Sequence, residues 1–260
     1  MLPDILSELE GSCPPSMARE EWRLRVQLAA CYRVFDHLGW SELVFNHITV
    51  RVPGERPSYL INPFGLNYRE ITAGNLIKVG LDGIPLEPTE HHVNRAGFVI
   101  HSAVHAARRD AHCIMHTHTT AGMAVACKQG GLGHDDFYGA ELFGDVAYHG
   151  FEGITVHEDE GPRLVASLAD KRILILRNHG MLVVGGDVFN AFRWMWTLQR
   201  ACEVQVAAAA LPGPDIELAD DVRRACARDA RAFEPRDRLE RMLFMSVLRR
   251  AGVTAASLAP

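Results

Sequence analysis

The sequence lacks the features that mark several broad classes of protein. No apolar run approaches the ~18 residues that a membrane-spanning helix needs, and no basic stretch leads into an apolar one at the start, as in a secretory signal. The net charge of -5 gives no reason to expect nucleic acid or a membrane as a partner. The six cysteines form no C-x-x-C pair and lie scattered at positions 13, 31, 113, 127, 202 and 226. We therefore expect reduced thiols and a cytoplasmic location.

The composition is that of an ordinary globular protein, with 48% hydrophobic and 23% charged residues among 260. Residues 1–15 are predicted to be a loose arm, and residues 16–260 one α/β domain with a core over about 40–210 and C-terminal helices over 215–252. Apolar runs predict strands over 45–52, 58–61, 76–79, 112–117, 146–149 and twice within 173–184. Helical spacing predicts helices over 16–39, capped by Ser16, and over 91–109, 119–128, 161–169, from Asp187 to about 210, 217–231 and 236–251.

Three histidines are the most informative residues of the chain. His116 and His118 lie two apart at the end of an apolar run, so on a strand their side chains face the same way. His179 lies in Asn178-His179-Gly180 between two further apolar runs, which predicts a tight connection between buried strands. Three imidazoles that leave one coordination position open are typical of a catalytic metal site. The competing interpretation is a chance pair among 13 histidines, with His179 in a simple turn.

Five segments form a recognisable set along the chain. They are Phe45-Asn46-His47-Ile48-Thr49, Ile61-Asn62-Pro63-Phe64-Gly65, Ala96-Gly97-Phe98-Val99-Ile100-His101, His116-Thr117-His118 and Asn178-His179-Gly180. Together they resemble the class II aldolase/adducin family, in the order in which that family carries them. The resemblance implies a three-layer α/β/α fold with a mostly antiparallel central sheet, and a homotetramer with its active site between subunits. It also implies that His116, His118 and His179 bind a divalent metal and that Asn46 lies in the substrate pocket.

Two departures separate the chain from the sugar-phosphate aldolases of that family. Those enzymes carry a Ser-Ser-Glu triplet, whose Glu transfers protons, where this chain has Arg95, Ala96 and Gly97. Their Thr-Gly phosphate contact corresponds to Phe64-Gly65, so Gly65 is still predicted to bind substrate but a hydroxyl is lost. A sugar phosphate is therefore a poor prediction.

The sequence of residues 94–98, Asn-Arg-Ala-Gly-Phe, is more similar to the adducin-like branch of the family than to the sugar-phosphate aldolases. Adducin's long basic tail is missing, so actin or spectrin is not expected as a partner.

Three neutral imidazoles leave a divalent metal with about +2 charge. That charge favours 2-keto acids, 2-hydroxy acids or ortho-hydroxy aromatic acids, which chelate through two oxygens. Decarboxylation of such a compound needs no base to start, whereas retro-aldol cleavage does.

We therefore predict a metal-dependent lyase for a small oxygenated carboxylate or carbonyl compound, acting by decarboxylation or retro-aldol cleavage through a metal-stabilised enolate. Zinc is the expected metal, with manganese or iron as alternatives. The competing functions are a non-catalytic adducin-like binding module and a non-haem iron oxygenase.

Three further residues are predicted to assist at the site. His101 lies on the same helical face as Gly97 and is a candidate catalytic group, whereas His105, one turn later, is expected to be solvated. Tyr138 lies in the Gly-rich segment 129–144, a predicted lid or subunit contact, and is a candidate proton donor to a neighbouring site. Arg95 is a candidate for binding a substrate carboxylate. The alternatives are simple loop packing for Tyr138 and a surface position for Arg95.

Overall fold

Seven strands form one mixed sheet in the computed structural model, which describes residues 4–155, 157–232 and 236–259. The strands are β1 (His47–Val52), β2 (Ser58–Ile61), β3 (Ile77–Gly80), β4 (Cys113–Thr117), β5 (Val146–His149), β6 (Ile173–Leu176) and β7 (Gly180–Gly185). Their order across the sheet is β3-β2-β1-β4-β7-β6-β5. Only β5 and β6 are parallel, and the other neighbouring pairs are antiparallel. The predicted mostly antiparallel sheet is confirmed.

Helices cover both faces of this sheet. In the described part of the chain they are α1 (Ile5–Glu10), α2 (Arg19–Leu38), α3 (Arg95–Ala107), α4 (Thr120–Ala126), α5 (Phe137–Glu141), α6 (Gly161–Leu168), α7 (Val188–Ala208), α8 (Asp220–Ala232), α9 (Arg236–Arg250) and α10 (Ala255–Leu258). Short 3-10 turns occur at Tyr68–Glu70 and Glu158–Glu160. None of these helices is both long and apolar enough to cross a membrane.

The alternation of side chains along each strand buries apolar residues on both faces of the sheet, in one large cluster and two smaller ones. In β4, Cys113 and Met115 belong to the larger core, which also contains most of the buried residues of α2 and α7. Ile114, between them, belongs to a smaller core with Ile100 of α3 and Leu164 of α6. These two cores lie on opposite faces of the sheet, so the predicted α/β/α layering is confirmed.

The ends of the long helices follow local signals in part. Asp187 caps α7 as predicted, with Oδ1 accepting a hydrogen bond from the Asn190 backbone N–H at 2.8 Å. The α2 helix ends at Gly39, whose φ of 69° lies in the left-handed region that favours glycine. The predicted cap at Ser16 is wrong, because α2 begins at Arg19 after Ala18, which makes no side-chain cap hydrogen bond.

The prediction of a loose arm over residues 1–15 is wrong for Ile5–Glu10, which form α1. Leu6 and Leu9 are buried against the large core. The indole N–H of Trp22 donates to the Leu9 carbonyl at 2.8 Å, which ties α1 to α2. Likewise the segment 129–144 is not simply a loop, because Asp136 caps the short helix α5 inside it.

Candidate metal centre

The three predicted ligands meet beside the central strands of the sheet. His116 lies in β4, paired with His47 of β1 and with Leu182 of β7. His118 follows β4 directly, and His179 lies in the connection from β6 to β7. The ring centroids are 4.6 Å apart for 116 and 118, and 4.9 Å apart for each of the other two pairs. One nitrogen of each ring lies within 4.8 Å of the others, close enough to hold a metal ion.

A tight turn brings His179 to this position. Asn178 has a φ of 55°, in the left-handed region that few residues other than glycine and asparagine adopt. The His179 N–H donates to the Leu176 carbonyl at 3.1 Å, which closes the turn. At Gly180, a Cβ would lie 2.5 Å from the Thr117 carbonyl oxygen and within contact distance of both neighbouring histidine rings. A glycine is therefore required where β7 passes so close to the cluster.

The protonation of the cluster suits a metal ligand. The Nδ1–H of His116 donates to the Met181 carbonyl at 2.9 Å, which leaves the lone pair of Nε2 facing His118 Nε2 at 2.8 Å. Metal-binding histidines usually have such an outer hydrogen bond, since it fixes the tautomer and the ring orientation. Burial lowers the pKa of His179 to about 4 and holds that of His116 well below its usual range. Burial also lowers the pKa of His118, although the Glu42 carboxylate opposes this shift.

The three rings are therefore neutral at pH 7 and bring one nitrogen each within 4.8 Å of the others, and neutral imidazole is the form that binds a divalent cation. The donor set is all nitrogen, which suits zinc, iron or copper better than magnesium or calcium. A cleft of about 330 Å³ opens beside His118 and gives access to it. The cleft is lined by Leu38–Glu42, Thr119–Ala121, Gln199 and Glu203.

A second set of histidines adjoins the cluster at His116. The ring of His47 is 5.1 Å from that of His116, and its Nδ1 is 2.9 Å from Nε2 of His101. The Thr49 hydroxyl lies between His101 Nδ1, at 2.7 Å, and His105 Nε2, at 2.8 Å. All four side chains are at most 3% exposed.

The predicted role of His101 must therefore be revised, because both of its nitrogens are engaged and its side chain is fully buried. It lies behind His47 and not at the cluster. The expectation that His105 is solvated is wrong, since Nδ1 of this buried residue is 2.9 Å from the Ala111 carbonyl oxygen. Burial lowers the pKa of His47 and of His105 to about 3.

Position 97, where the sugar-phosphate aldolases were expected to carry glutamate, lies against His47. A Cβ built on Gly97 would be 2.5 Å from Cδ2 of that ring and 2.9 Å from Nε2. Real Cβ atoms do not approach other heavy atoms so closely. In this chain the imidazole of His47 therefore occupies the space beside α3 that a larger residue at position 97 would enter.

The predicted substrate-binding residues occupy different environments. Asn46 is buried, and its Nδ2 donates to the Trp40 carbonyl at 3.3 Å, whereas its Oδ1 has no hydrogen-bond partner in the described part of the chain. Gly65 has a φ of 99°, so a side chain there would be strained. Arg95 begins α3 with a mostly exposed side chain, 4.0 Å from the Glu158 carboxylate. A buried orphan acceptor is costly unless a ligand or water satisfies it, so Asn46 fits a substrate-binding role better than Arg95 does.

Tyr138 lines a separate cavity. The ring centroids of Tyr138 and Phe137 are 5.3 Å apart. The Cζ atom of Arg200 lies 5.6 Å from the centroid of the Tyr138 ring. The cavity, of about 660 Å³, lies among α5, α7, α8 and α9, and none of the three cluster histidines lines it. A role for Tyr138 in a neighbouring subunit's site remains a prediction.

This fold has counterparts among known proteins. The model of the family described as Class II Aldolase and Adducin N-terminal domain matches residues 26–206. The chain belongs to the class II aldolase and adducin family. A Pseudomonas aeruginosa protein with a provisional class 2 aldolase name is 47% identical over 200 residues, 77% of each chain. Alpha-adducin of Mus musculus is 47% identical over 214 residues, which are 81% of this chain and 29% of adducin.

Two solved structures extend the match to the whole fold. An aldolase II superfamily protein from Pseudomonas syringae has a TM-score of 0.84 and 40% identity, covering 90% of this chain and 96% of its own. The L-fuculose 1-phosphate aldolase from Glaciozyma antarctica has a TM-score of 0.80 and 28% identity, covering 98% of this chain and 99% of its own. The expected class II aldolase-like fold is thus confirmed.

Sequence reasoning missed the parts of the site that depend on contacts between β1 and α3. His47 lies in one of the segments that resemble the class II aldolase family, yet only its neighbour Asn46 received a role. Two signals were available in the sequence. His47 and Thr49 are two apart on a predicted strand, and His101 and His105 are four apart on a predicted helix, so each pair shares a face.

Proposed function

We propose that this protein is a divalent-metal-dependent carbon–carbon lyase for a small oxygenated carboxylate or carbonyl compound. The observation that carries the proposal is the convergence of three neutral imidazoles, of which His116 is oriented by the Met181 carbonyl. A divalent metal bound there would polarise a carbonyl group and stabilise the negative charge left when a carbon–carbon bond breaks. Zinc is the metal we expect, with manganese or iron as alternatives.

The electrostatics of the site favour an anionic substrate. No carboxylate belongs to the group of potential ligands in the described residues, so the ligands themselves would leave the charge of the ion uncompensated, and the carboxylates of Glu42 and Glu203 line the cleft beside His118. Oxygen donors of a 2-keto acid, a 2-hydroxy acid or an ortho-hydroxy aromatic acid would supply that compensation. The side-chain oxygen of Asn46, buried and without a described partner, is suited to accept a hydrogen bond from the hydroxyl of a 2-hydroxy acid or an ortho-hydroxy aromatic acid.

The surroundings do not favour a sugar phosphate, although one structural relative is named as an L-fuculose 1-phosphate aldolase. The ring centroids of Phe45 and Phe64 are 6.3 Å apart, and both side chains are partly exposed. At Gly65, directly after Phe64, a Cβ would meet no other atom within 4 Å. Phe151, also exposed, lies 6.5 Å from His179. Aromatic rings in these positions provide apolar contacts and no hydroxyl for a phosphate oxygen.

Decarboxylation fits this site better than aldol cleavage does. Gly97 carries no carboxylate that could remove a hydroxyl proton, and loss of carbon dioxide needs no such base. The similarity to alpha-adducin supports a second candidate, a binding module without catalysis. A non-haem iron oxygenase is a third, because imidazole also binds ferrous iron. We further expect a homotetramer and a cytoplasmic location.

The proposal is tested by purification without chelators, metal analysis, and activity profiling of the metal-loaded protein. The substrates to compare are 2-keto acids, hydroxyaromatic acids and sugar phosphates, with and without oxygen. We expect turnover of a carboxylate without oxygen consumption, lost in His116→Ala and retained in His91→Ala, whose histidine is exposed and distant in sequence from the cluster. Efficient cleavage of a sugar phosphate would contradict this substrate class. Stoichiometric metal without turnover of any substrate would favour the non-catalytic binding module. Oxygen consumption during turnover would favour the non-haem iron oxygenase.

A further inference from the structure

The proton positions in the buried histidine chain can be derived from one carbonyl group. The Ala111 carbonyl oxygen can only accept, so His105 must carry its proton on Nδ1, at 2.9 Å from it. A neutral His105 then has a bare Nε2, which receives the hydroxyl proton of Thr49 at 2.8 Å. Burial lowers the pKa of His105 to about 3, which keeps this ring neutral.

The same reasoning continues towards the metal centre. Since Thr49 has one proton and gives it to His105, its oxygen must accept from Nδ1–H of His101 at 2.7 Å. Burial keeps the pKa of His101 well below its usual range, so the ring is neutral and its Nε2 is bare. That nitrogen can only accept, and it does so from Nδ1–H of His47 at 2.9 Å.

The last ring of the chain therefore presents a lone pair. The single proton of a neutral His47 is on Nδ1, where it is donated to His101, so Nε2 carries none. The lone pair of Nε2 points in a different direction from the Nδ1–H bond, which is directed at His101. The ring lies against Gly97 on one side and 5.1 Å from the His116 ring, between centroids, on another. Only a residue without a side chain at position 97 leaves the ring room to lie there.

We propose that His47 is a substrate-positioning residue, whose Nε2 accepts a hydrogen bond from a hydroxyl of the substrate at the metal centre. Thr49, His101 and His105 act through it by fixing its tautomer. The inference rests on the proposed function and narrows it, because an acceptor at this position selects substrates in which one of the chelating oxygens is a hydroxyl. A 2-hydroxy acid or an enolised 2-keto acid carries such a group, and an ether analogue does not.

The first test is independent of metal and activity. Long-range ¹H–¹⁵N correlation spectra of the metal-free protein report which nitrogen of each histidine carries the proton. We expect Nδ1–H in His47, His101 and His105. Thr49→Val removes the hydroxyl at nearly constant volume and should mix the two tautomers of His101 and His47. Thr49→Ser, the matched control, should keep the parent pattern, and the His116 signals should be unchanged in both variants.

The second test measures selectivity. Glycolate and methoxyacetate differ only in the hydroxyl proton and its replacement by methyl, and their affinities for the zinc-loaded protein can be measured by calorimetry. We expect the parent to prefer glycolate by about 3- to 10-fold, the range for one hydrogen bond. His47→Phe should abolish the preference, and Thr49→Val should reduce it while Thr49→Ser retains it.

The outcomes separate the two proposals. If zinc and glycolate bind but His47 carries its proton on Nε2, or if the preference survives in both His47→Phe and Thr49→Val, the positioning role is overturned and the proposed function stands. If the tautomers are as expected but neither zinc nor glycolate binds, the proposed function is wrong. The substrate-positioning role is then wrong as well, because it depends on that function.

Discussion

His47 and Gly97 are complementary: the ring of one lies where the side chain of the other would have to be. Three of its ring atoms would come within 2.9 Å of a Cβ at position 97. The ring is also held at Nδ1 by its contact with His101 and cannot simply rotate away. A larger residue at position 97 and the observed position of His47 therefore exclude each other.

Gly97→Ala should destabilise the protein, although alanine is ordinarily better than glycine within a helix by about 1 kcal/mol. Forcing a methyl group into this packed position should lower the free energy of unfolding by about 1–3 kcal/mol. Urea denaturation measures the change. Gly150→Ala is the matched control, because a Cβ there meets nothing within 4 Å. A Gly97→Ala protein as stable as the parent would show that the His47 ring can move.

Loss of one cluster histidine should remove most of the metal. His118→Ala or His179→Ala takes away one of three converging nitrogens, so affinity should fall beyond the roughly 10–100-fold typical of losing an outer-shell partner. Zinc titration against a competing chelator measures the affinity, and circular dichroism verifies the fold. His91→Ala should bind metal like the parent. Stoichiometric, tight zinc in the His116→Ala/His118→Ala double variant would disprove the assignment.

The metal-free protein should become less stable as the pH falls from 6.5 to 5. Burial lowers the pKa of His105 to about 3 and that of His179 to about 4, from 6.5 in the unfolded chain. Below pH 6.5 the unfolded state therefore binds more protons, and each extra proton lowers the free energy of unfolding by about 1.4 kcal/mol per pH unit. Their contribution to stability is complete above pH 6.5, declines as the pH falls, and is fully lost only below about pH 4 for His179 and about pH 3 for His105.

Urea denaturation at several pH values gives this slope. His105→Gln removes one titrating group and should make the slope shallower, whereas His91→Ala, which alters an exposed histidine, should not. Equal stabilities at pH 7 and pH 5 would contradict neutral burial of these rings.

The protein should assemble into a homotetramer. Phe137 and Ile154 are large apolar residues that are 70% and 79% exposed in the single chain, which is typical of surfaces that subunits cover. Light scattering should give a mass near four times 28.8 kDa. Phe137→Glu should weaken the assembly, and Glu55→Ala, at an exposed position, should not. A fully active monomer would disprove both the assembly and any role for Tyr138 in a neighbouring site.

The parts of this molecule that were predictable from sequence depend on local spacing. Strand alternation places His116 and His118 on the same side, and a short connection between two apolar runs brings His179 towards them. The helix α1 was missed for the opposite reason. Six residues form a stable helix only when tertiary packing supports them, and that packing comes from Trp22 and the core behind it.

The histidine chain beside the cluster was missed because it joins distant parts of the sequence. His47 and His101 are 54 positions apart, and only the packing of α3 on β1 brings their rings to 2.9 Å. An isolated histidine on a helix is usually at least partly solvated, so His105 was assigned to solvent. Its burial follows from the Ala111 carbonyl, which lies beyond the end of the helix and satisfies its Nδ1–H.

The alternation of side chains along β4 places core residues and a metal-site residue in a fixed order along the chain. On β4 the even positions Ile114 and His116 face α3, and the odd positions Cys113 and Met115 face α2. One inserted or deleted residue within β4 would exchange these sets: the imidazole of His116 would enter the apolar core, and Met115 would take its place in the histidine cluster. Variation in this protein should therefore reach the site by substitution, or by insertions in the loops outside these strands.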